Sequence, residues 1–378
     1  MQQPPSPTDV SVGTDPDESG PANASYAVAA ERSRQVEQAL ADDPSQFRVL
    51  TGDRPTGRLH VGHYFGSLAN RVRLQDAGVE TFLVIADYQV ITDRDAVGPI
   101  QERVQSILAD YLAVGIDPER STIFVHSAVP ALNQLMLPFL ALVTDAELRR
   151  NPTVKSELAA SGNRPMSGLM LTYPVHQTAD ILFCKANLVP VGKDQLPHLE
   201  QARVIARRFE ETYGHAGSAG PVFPPPAPLL SAATNILGVD GQKMSKSRNN
   251  AIELAMTADE TAKLIRRAVT DTDRTITYDP VGRPQVANLL QIAALCTGET
   301  PEQVAEGIGD QGAAALKRVV TESLNEKLAP IRSRRTELEA APDHLRAVLA
   351  AGNQRANEVA EVTLDEVRAA MHMVYATS

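Results

Sequence analysis

The sequence predicts a doubly wound parallel α/β sheet followed by a helical C-terminal domain. Three observations carry that reading. Short continuous apolar runs recur at 47–51 (FRVLT), 81–86 (TFLVIA) and 122–126 (TIFVH), as in strands buried on both faces. Helical patterns separate these runs, which is the alternation of βαβ units. Beyond residue 250 the strand pattern fades and helix-start signals take over.

Residues 1–24 are rich in Pro, Ser, Gly and Asp, and a disordered tail is expected there. Residues 26–42 read as a polar helix with sparse apolar positions at Val28, Val36 and Leu40. This helix lies in an N-terminal extension over 25–46, whose bland reading is a packing arm or tail. The strand at 47–51 runs into a loop holding Gly52, Pro55 and Gly57, after which Tyr64, Leu68 and Val72 recur four apart, a helical spacing. A helix fits 97–114. Another covers 167–184, residues 188–192 (LVPVG) end a strand, and 194–213 look helical. Pro221, Pro224, Pro225, Pro226 and Pro228 mark a loop. Thr257 with Glu260 is a capping box, and Thr300, Pro301 and Gln303 form another helix start. The division expected is an α/β domain over 47–235, a loop over 236–250 and a helical domain over 251–378.

The chain's 378 residues allow two to three domains and a sizeable core. No apolar run approaches the ~18 residues of a membrane span. The acidic start, with Asp9, Asp15, Asp17 and Glu18, lacks the basic beginning and apolar core of a secretory signal. A cytoplasmic protein without a membrane partner is expected. Cys184 and Cys296 form no CxxC pair, so no metal site is expected. A net charge of −10 argues against a general nucleic-acid coat protein and leaves room for a local basic patch. Arg332, Arg334 and Arg335 form one such cluster, a solvated helix face being an equal reading.

Two motifs carry chemistry. Pro55-Thr56-Gly57-Arg58-Leu59-His60-Val61-Gly62-His63 follows a strand and opens a helix. Glycines admit phosphate close to the backbone, and a helix N-terminus favours negative charge. Two imidazoles three apart share one side of the first turn and can donate to phosphate oxygens. Alone, this motif is as compatible with chance as with nucleotide chemistry. Lys243-Met244-Ser245-Lys246-Ser247 places two lysines on a polar loop after Gly238 and Gly241. Lysines on a mobile loop can act mainly in the transition state, although a solvated basic loop is the commoner meaning of such a run. A third pattern is Tyr173, Gln177 and Asp180 at i, i+4 and i+7, one polar face amid Leu171, Ile181 and Leu182. That suits a small-molecule pocket, with an amphipathic surface helix as the alternative.

HVGH early and KMSKS late, with α/β units between, resembles the class I aminoacyl-tRNA synthetases. LMLTYPVHQTADIL at 169–182, the segment from Val189 to Gln195, Ala268-Val269-Thr270-Asp271 and Asn288-Leu289-Leu290 narrow the likeness to the tryptophanyl-tRNA synthetases, from about residue 48 onward. The resemblance implies a Rossmann-like catalytic domain, a helical anticodon-binding domain and a homodimer. It implies tryptophan, ATP with Mg²⁺, and tRNA(Trp) as partners. It gives His60, His63, Lys243 and Lys246 catalytic roles. ATP would be held by Arg54, Thr56, Gly62, His63, Lys155, Gly192, Asp194, Lys243, Met244 and Lys246. Asp180, aided by Gln177, would take the indole N–H, and Tyr173 and Gln195 the α-ammonium. Leu50, Gln89, Val189 and Val191 would complete the pocket.

The chain departs from the common bacterial pattern, which often has Gln at Arg54, His at Gln89 and Met at Gln177. The last two changes are expected to re-route pocket hydrogen bonds and weaken binding of tryptophan mimics such as indolmycin. The tyrosine enzymes share the Tyr-x-x-x-Gln-x-x-Asp helix but usually carry Tyr at the position of Leu50. A site lacking that partner discriminates against a phenol. A non-catalytic homologue is free to lose His60, His63 or Lys246; this chain keeps all three.

Overall fold

The apolar runs become strands. The computed structural model of the chain describes residues 21–92, 98–160, 165–192, 195–214, 220–230, 236–245 and 248–375. In it, β1 (Arg48–Asp53), β2 (Glu80–Ile85), β3 (Ser121–Val125), β4 (Leu188–Val191) and β5 (Ala227–Leu230) form one sheet in the order β3-β2-β1-β4-β5. Every neighbouring pair is parallel, with β1 and β2 in register from Arg48–Glu80 to Asp53–Ile85. Parallel pairing demands crossovers. They are supplied by a helical stretch over 61–77, α-helical but for the π turn Tyr64–Leu68, and by the helices Ile100–Val114, Gly168–Leu182 and Leu196–Tyr213.

Side chains alternate across each strand, so apolar residues pack on both faces of the sheet. Leu83, Ile85 and Ile123 pack with Ile107 and Leu108, and this core continues into Leu290, Leu316, Leu324 and Leu328 of the C-terminal helices. Leu50, Phe82, Val84 and Phe124 face Val175, Ile181, Leu182, Ala356 and Ala360. After residue 250 the α-helices are Ala258–Arg266, Pro284–Thr297, Pro301–Ile308, Gly312–Glu339 and Pro342–Ala370. The capping boxes at Thr257 and Thr300 form as expected.

Both edges of the sheet are covered. The N-terminal helix Pro21–Asp42 lies against β5, where Ser33 Oγ accepts from Leu230 N at 2.9 Å. The extension is therefore a packing arm. At the other edge, Asn353 Oδ1 accepts from Val125 N at 3.1 Å. There a Cβ on Gly352 would lie 1.9 Å from Ile123 O, so only glycine allows this approach. Covering exposed strand edges blocks pairing with other chains.

Two expectations change, and one stretch gains structure. The first helix begins at Pro21, so residues 21–24 are its first turn rather than part of a disordered tail; residues 1–20 lie outside the described residues. A proline suits a first helical turn because its missing N–H is not needed there. The proline-rich loop gives way to β5 at Ala227, and Pro228 is tolerated because β5 is an edge strand. Short helices at Pro130–Gln134, Met136–Leu140, Asp145–Arg150 and Pro152–Ala160 fill the stretch between β3 and Gly168, which is left unassigned from the sequence.

Candidate active site

Strand order reverses between β1 and β4, and a doubly wound sheet opens its crevice at the carboxyl ends of such a pair. β1 leads there into Arg54, Pro55 and Thr56, and β4 into Gly192. β2 leads toward Gln89 on the turn Tyr88–Thr92.

On the phosphate side, His60 is the extended N-cap of the helical stretch over 61–77, and His63 is its third residue. The two rings stand 3.8 Å apart. His60 N donates to His63 Nδ1 at 3.2 Å, which assigns the proton of a neutral His63 to Nε2. A Cβ on Gly62 would meet the His60 ring at 3.0 Å and Met244 Sδ at 3.6 Å. The two signature motifs are thus in contact. Backbone pairing fixes this: Val61 N donates to Ile252 O at 2.9 Å and Leu254 N to Leu59 O at 3.0 Å. Arg58 pairs with Glu253 at 3.5 Å. Met244 is buried, while Thr56, Lys155, Gly192 and Lys243 are exposed.

Asn250 shapes the loop from below. It accepts from Ser245 N at 2.8 Å and donates to Asp240 Oδ1 at 2.7 Å and Lys243 O at 3.1 Å. Asp53, at the end of β1, accepts from Arg71 and from the Tyr111 hydroxyl, both at 2.6 Å. Burial opposes ionisation of Asp53, but Arg71 and then His63 outweigh it and hold the carboxyl below its usual range. Sequence reasoning missed Asn250 and this triad. The Asn that closes KMSKSRNN is the one local signal that was available.

On the other side, helix Gly168–Leu182 is capped by Ser167, whose Oγ accepts from Met170 N at 3.0 Å. It buries Tyr173 and Asp180 and leaves Gln177 half-buried. Leu50, Ala179, Val189 and Val191 belong to one apolar cluster. Gln89 Nε2 donates to Asp180 Oδ2 at a long 3.5 Å, and His126 Nε2 stands 2.7 Å from Asp180 Oδ1. His176 Nε2 meets Asn133 Oδ1 at 2.7 Å, and burial lowers its pKa, with Asp180 pulling the other way. Burial and then the charge of Glu157 push the Tyr173 hydroxyl well above its usual range. Glu157 also lies 3.8 Å from Arg54, which links the end of β1 to the surroundings of Tyr173. Gln195 is half-buried at the start of Leu196–Tyr213.

His126, His176 and Asp180 bring their ligand atoms within 4.8 Å of one another. Two ligands of one tetrahedral zinc stand roughly 3.3 Å apart at its usual bond lengths. The 2.7 Å between His126 and Asp180 fits direct contact instead. Asp194 and Lys246 lie outside the described residues. The basic cluster dissolves: Arg335 is buried on Asp110 at 2.6 Å, and Arg332 donates to Asn325 and Thr261. Desolvation makes an unpaired internal charge costly, so these guanidinium groups are spent on packing. Asp110 also accepts from Leu59 N at 3.4 Å, which ties the helical region to the first motif.

The chain matches the family described as tRNA synthetases class I (W and Y) over residues 43–329. It is 42% identical to the tryptophan–tRNA ligase of Clostridium longisporum, over 86% of this chain and 97% of that one. It is 40% identical to that of Streptococcus pyogenes serotype M1, over 86% and 98%. A solved tryptophanyl-tRNA synthetase from Campylobacter jejuni, complexed with ADP and tryptophan, superposes with a TM-score of 0.73. That pair is 28% identical and covers 86% of this chain and 99% of the other. The chain belongs to the class I tRNA synthetase family of W and Y members, and it has their Rossmann-like fold. Within that family it stands with the tryptophan–tRNA ligases, which are ATP-dependent aminoacyl-tRNA ligases.

Proposed function

We propose that the chain activates tryptophan with ATP and passes it to tRNA(Trp), with the residue roles that follow. The observation that carries this is the close approach of the HVGH turn to Met244, together with the burial of Asp180 beside His126. Tryptophan's carboxylate attacks the α-phosphorus in line and displaces pyrophosphate. It needs no general base, because it is already ionised at pH 7. Catalysis is positioning plus charge stabilisation. The Nε2–H of His63 donates to phosphate, and His60, Thr56 and backbone amides complete the cradle. Lys243 and Lys246 stabilise the departing pyrophosphate. Arg54 and Lys155 approach the phosphates, and Gly192 and Asp194 hold the ribose. Mg²⁺ enters as part of the ATP substrate, which suits an ion usually held by substrate phosphates. The nearby carboxylates Asp53 and Glu253 are engaged by arginines.

Leu50, Val189 and Val191 pack the indole, Asp180 with Gln177 takes its N–H, and Tyr173 and Gln195 hold the α-ammonium. With Gln89 and Gln177 in this pocket, indolmycin binds more weakly than to a His/Met-type enzyme; an equal inhibition constant would remove that idea. The helices after residue 251 read the anticodon, the functional unit is a homodimer, and its compartment is the cytoplasm. Amino-acid-dependent ATP–pyrophosphate exchange tests the whole reading. Exchange with tryptophan and not tyrosine is expected, and exchange with tyrosine would overturn the role of Leu50.

A further inference from the structure

We propose that His126 is the positioning residue that sets the pocket's preference for an indole N–H, acting through Asp180; this rests on the tryptophan pocket described above. His126 follows β3 directly and is wholly buried, and Asp180 is 2% exposed. The Asp180 carboxylate is approached at both oxygens: by His126 Nε2 at 2.7 Å on Oδ1 and by Gln89 Nε2 at 3.5 Å on Oδ2. Three separate segments, the exits of β2 and β3 and the helix Gly168–Leu182, therefore converge on one carboxylate. The His126 contact is the shorter by 0.8 Å and so dominates the orientation.

A buried carboxylate without a donor beside it rotates or takes up a proton, and either change removes a fixed acceptor. His126 Nε2 and Asp180 Oδ1 touch without hydrogen-bond alignment. Among the described residues, these atoms and His126 Nδ1 are buried with no hydrogen-bond partner. Such orphans are uncommon in folded proteins and call for a reason, which here is a ligand that completes the network. His176 backs the cluster, its ring 4.6 Å from that of His126 and its Nε2 engaged by Asn133. Tyr88 stacks on the outer side at 6.4 Å. With the carboxylate so held, a ligand that brings an N–H satisfies Asp180. A ligand of the same shape without an N–H leaves it desolvated and unpaired, which is the arrangement that discriminates most strongly.

The test is ATP–pyrophosphate exchange with tryptophan and with β-(benzothiophen-3-yl)alanine, which replaces the indole N–H by sulfur. The native enzyme, His126→Leu, His126→Gln and Asp180→Asn are compared. His126→Leu is expected to lower the preference for tryptophan by about tenfold, the loss of one charge-assisted contact. The change should fall on the amino-acid KM, with the ATP KM unmoved. His126→Gln, which keeps an N–H donor at similar reach, should restore the preference. If His126→Leu does not fold, His126→Asn replaces it, since its amide is too short to reach Asp180 and the same loss is expected. An unchanged preference in the His126 variants, while Asp180→Asn abolishes it, would overturn the role of His126 and leave the pocket standing. A preference untouched in Asp180→Asn as well would overturn the pocket reading and this inference together.

Discussion

The Asp180 half and the His60 half of the candidate site are built on opposite plans. Around Asp180 the polar groups are buried and close together: His126 and Gln89 approach the carboxylate, and His176 is engaged by Asn133. Around His60 the polar side chains of Thr56, His60, His63 and Lys243 are half-buried or exposed, and backbone pairing between 59–61 and 252–254 does the positioning. Under the proposed function, the ligands account for the difference. An indole must be stripped of water, so its one polar group needs a partner fixed in advance. Phosphate charge is best met in the transition state, by cations that stay solvated until then. Side-chain packing thus preorganises one half, and backbone scaffolding aims the other.

The largest effect that would sharpen this contrast is Lys246→Ala. Adenylate formation should slow by on the order of 10²–10³-fold in kcat with little change in the tryptophan KM. Single-turnover kinetics would read it, and an unchanged kcat would refute the lysine's role. Asn250→Ala comes next. It removes the acceptor for Ser245 N and the donor to Lys243 O, so kcat should fall by about tenfold, again sparing the tryptophan KM. A matching rise in that KM would break the division between the halves. The smallest kinetic effect belongs to Gly352→Ala. Its Cβ meets backbone at Ile123, so the urea midpoint should drop by the equivalent of about 1–3 kcal/mol. Both KM values of the folded fraction should stay together, since the sheet supports both halves.

The same contrast governs what the sequence discloses. HVGH occupies one helical turn, and Tyr173, Gln177 and Asp180 share one helix face, so local spacing exposes them. The strands at 48–53, 80–85 and 121–125 stand out because parallel strands are apolar throughout. β5 escaped because Pro228 reads as a loop residue until its place at the edge is known. His126, Asn133 and Gln89 reach Asp180 or His176 from other elements, across 91 residues in the case of Gln89 and Asp180. No periodicity spans such a gap. The triad of Asp53, Arg71 and Tyr111 is hidden for the same reason. Arg335 misleads in the opposite sense, because a run of arginines does not show that one of them turns inward to Asp110.

The seat of the last helix on β3 bears on how the protein is made. Asn353 and Val125 are 228 residues apart, and Thr363 reaches Phe183 across 180. During synthesis the edge of β3 therefore stays bare until the helix Pro342–Ala370 has emerged. A product that stops short of this helix presents that edge to its neighbours, and strand pairing between chains then competes with folding. Incomplete chains should appear as aggregates for quality control to clear, not as slow enzymes.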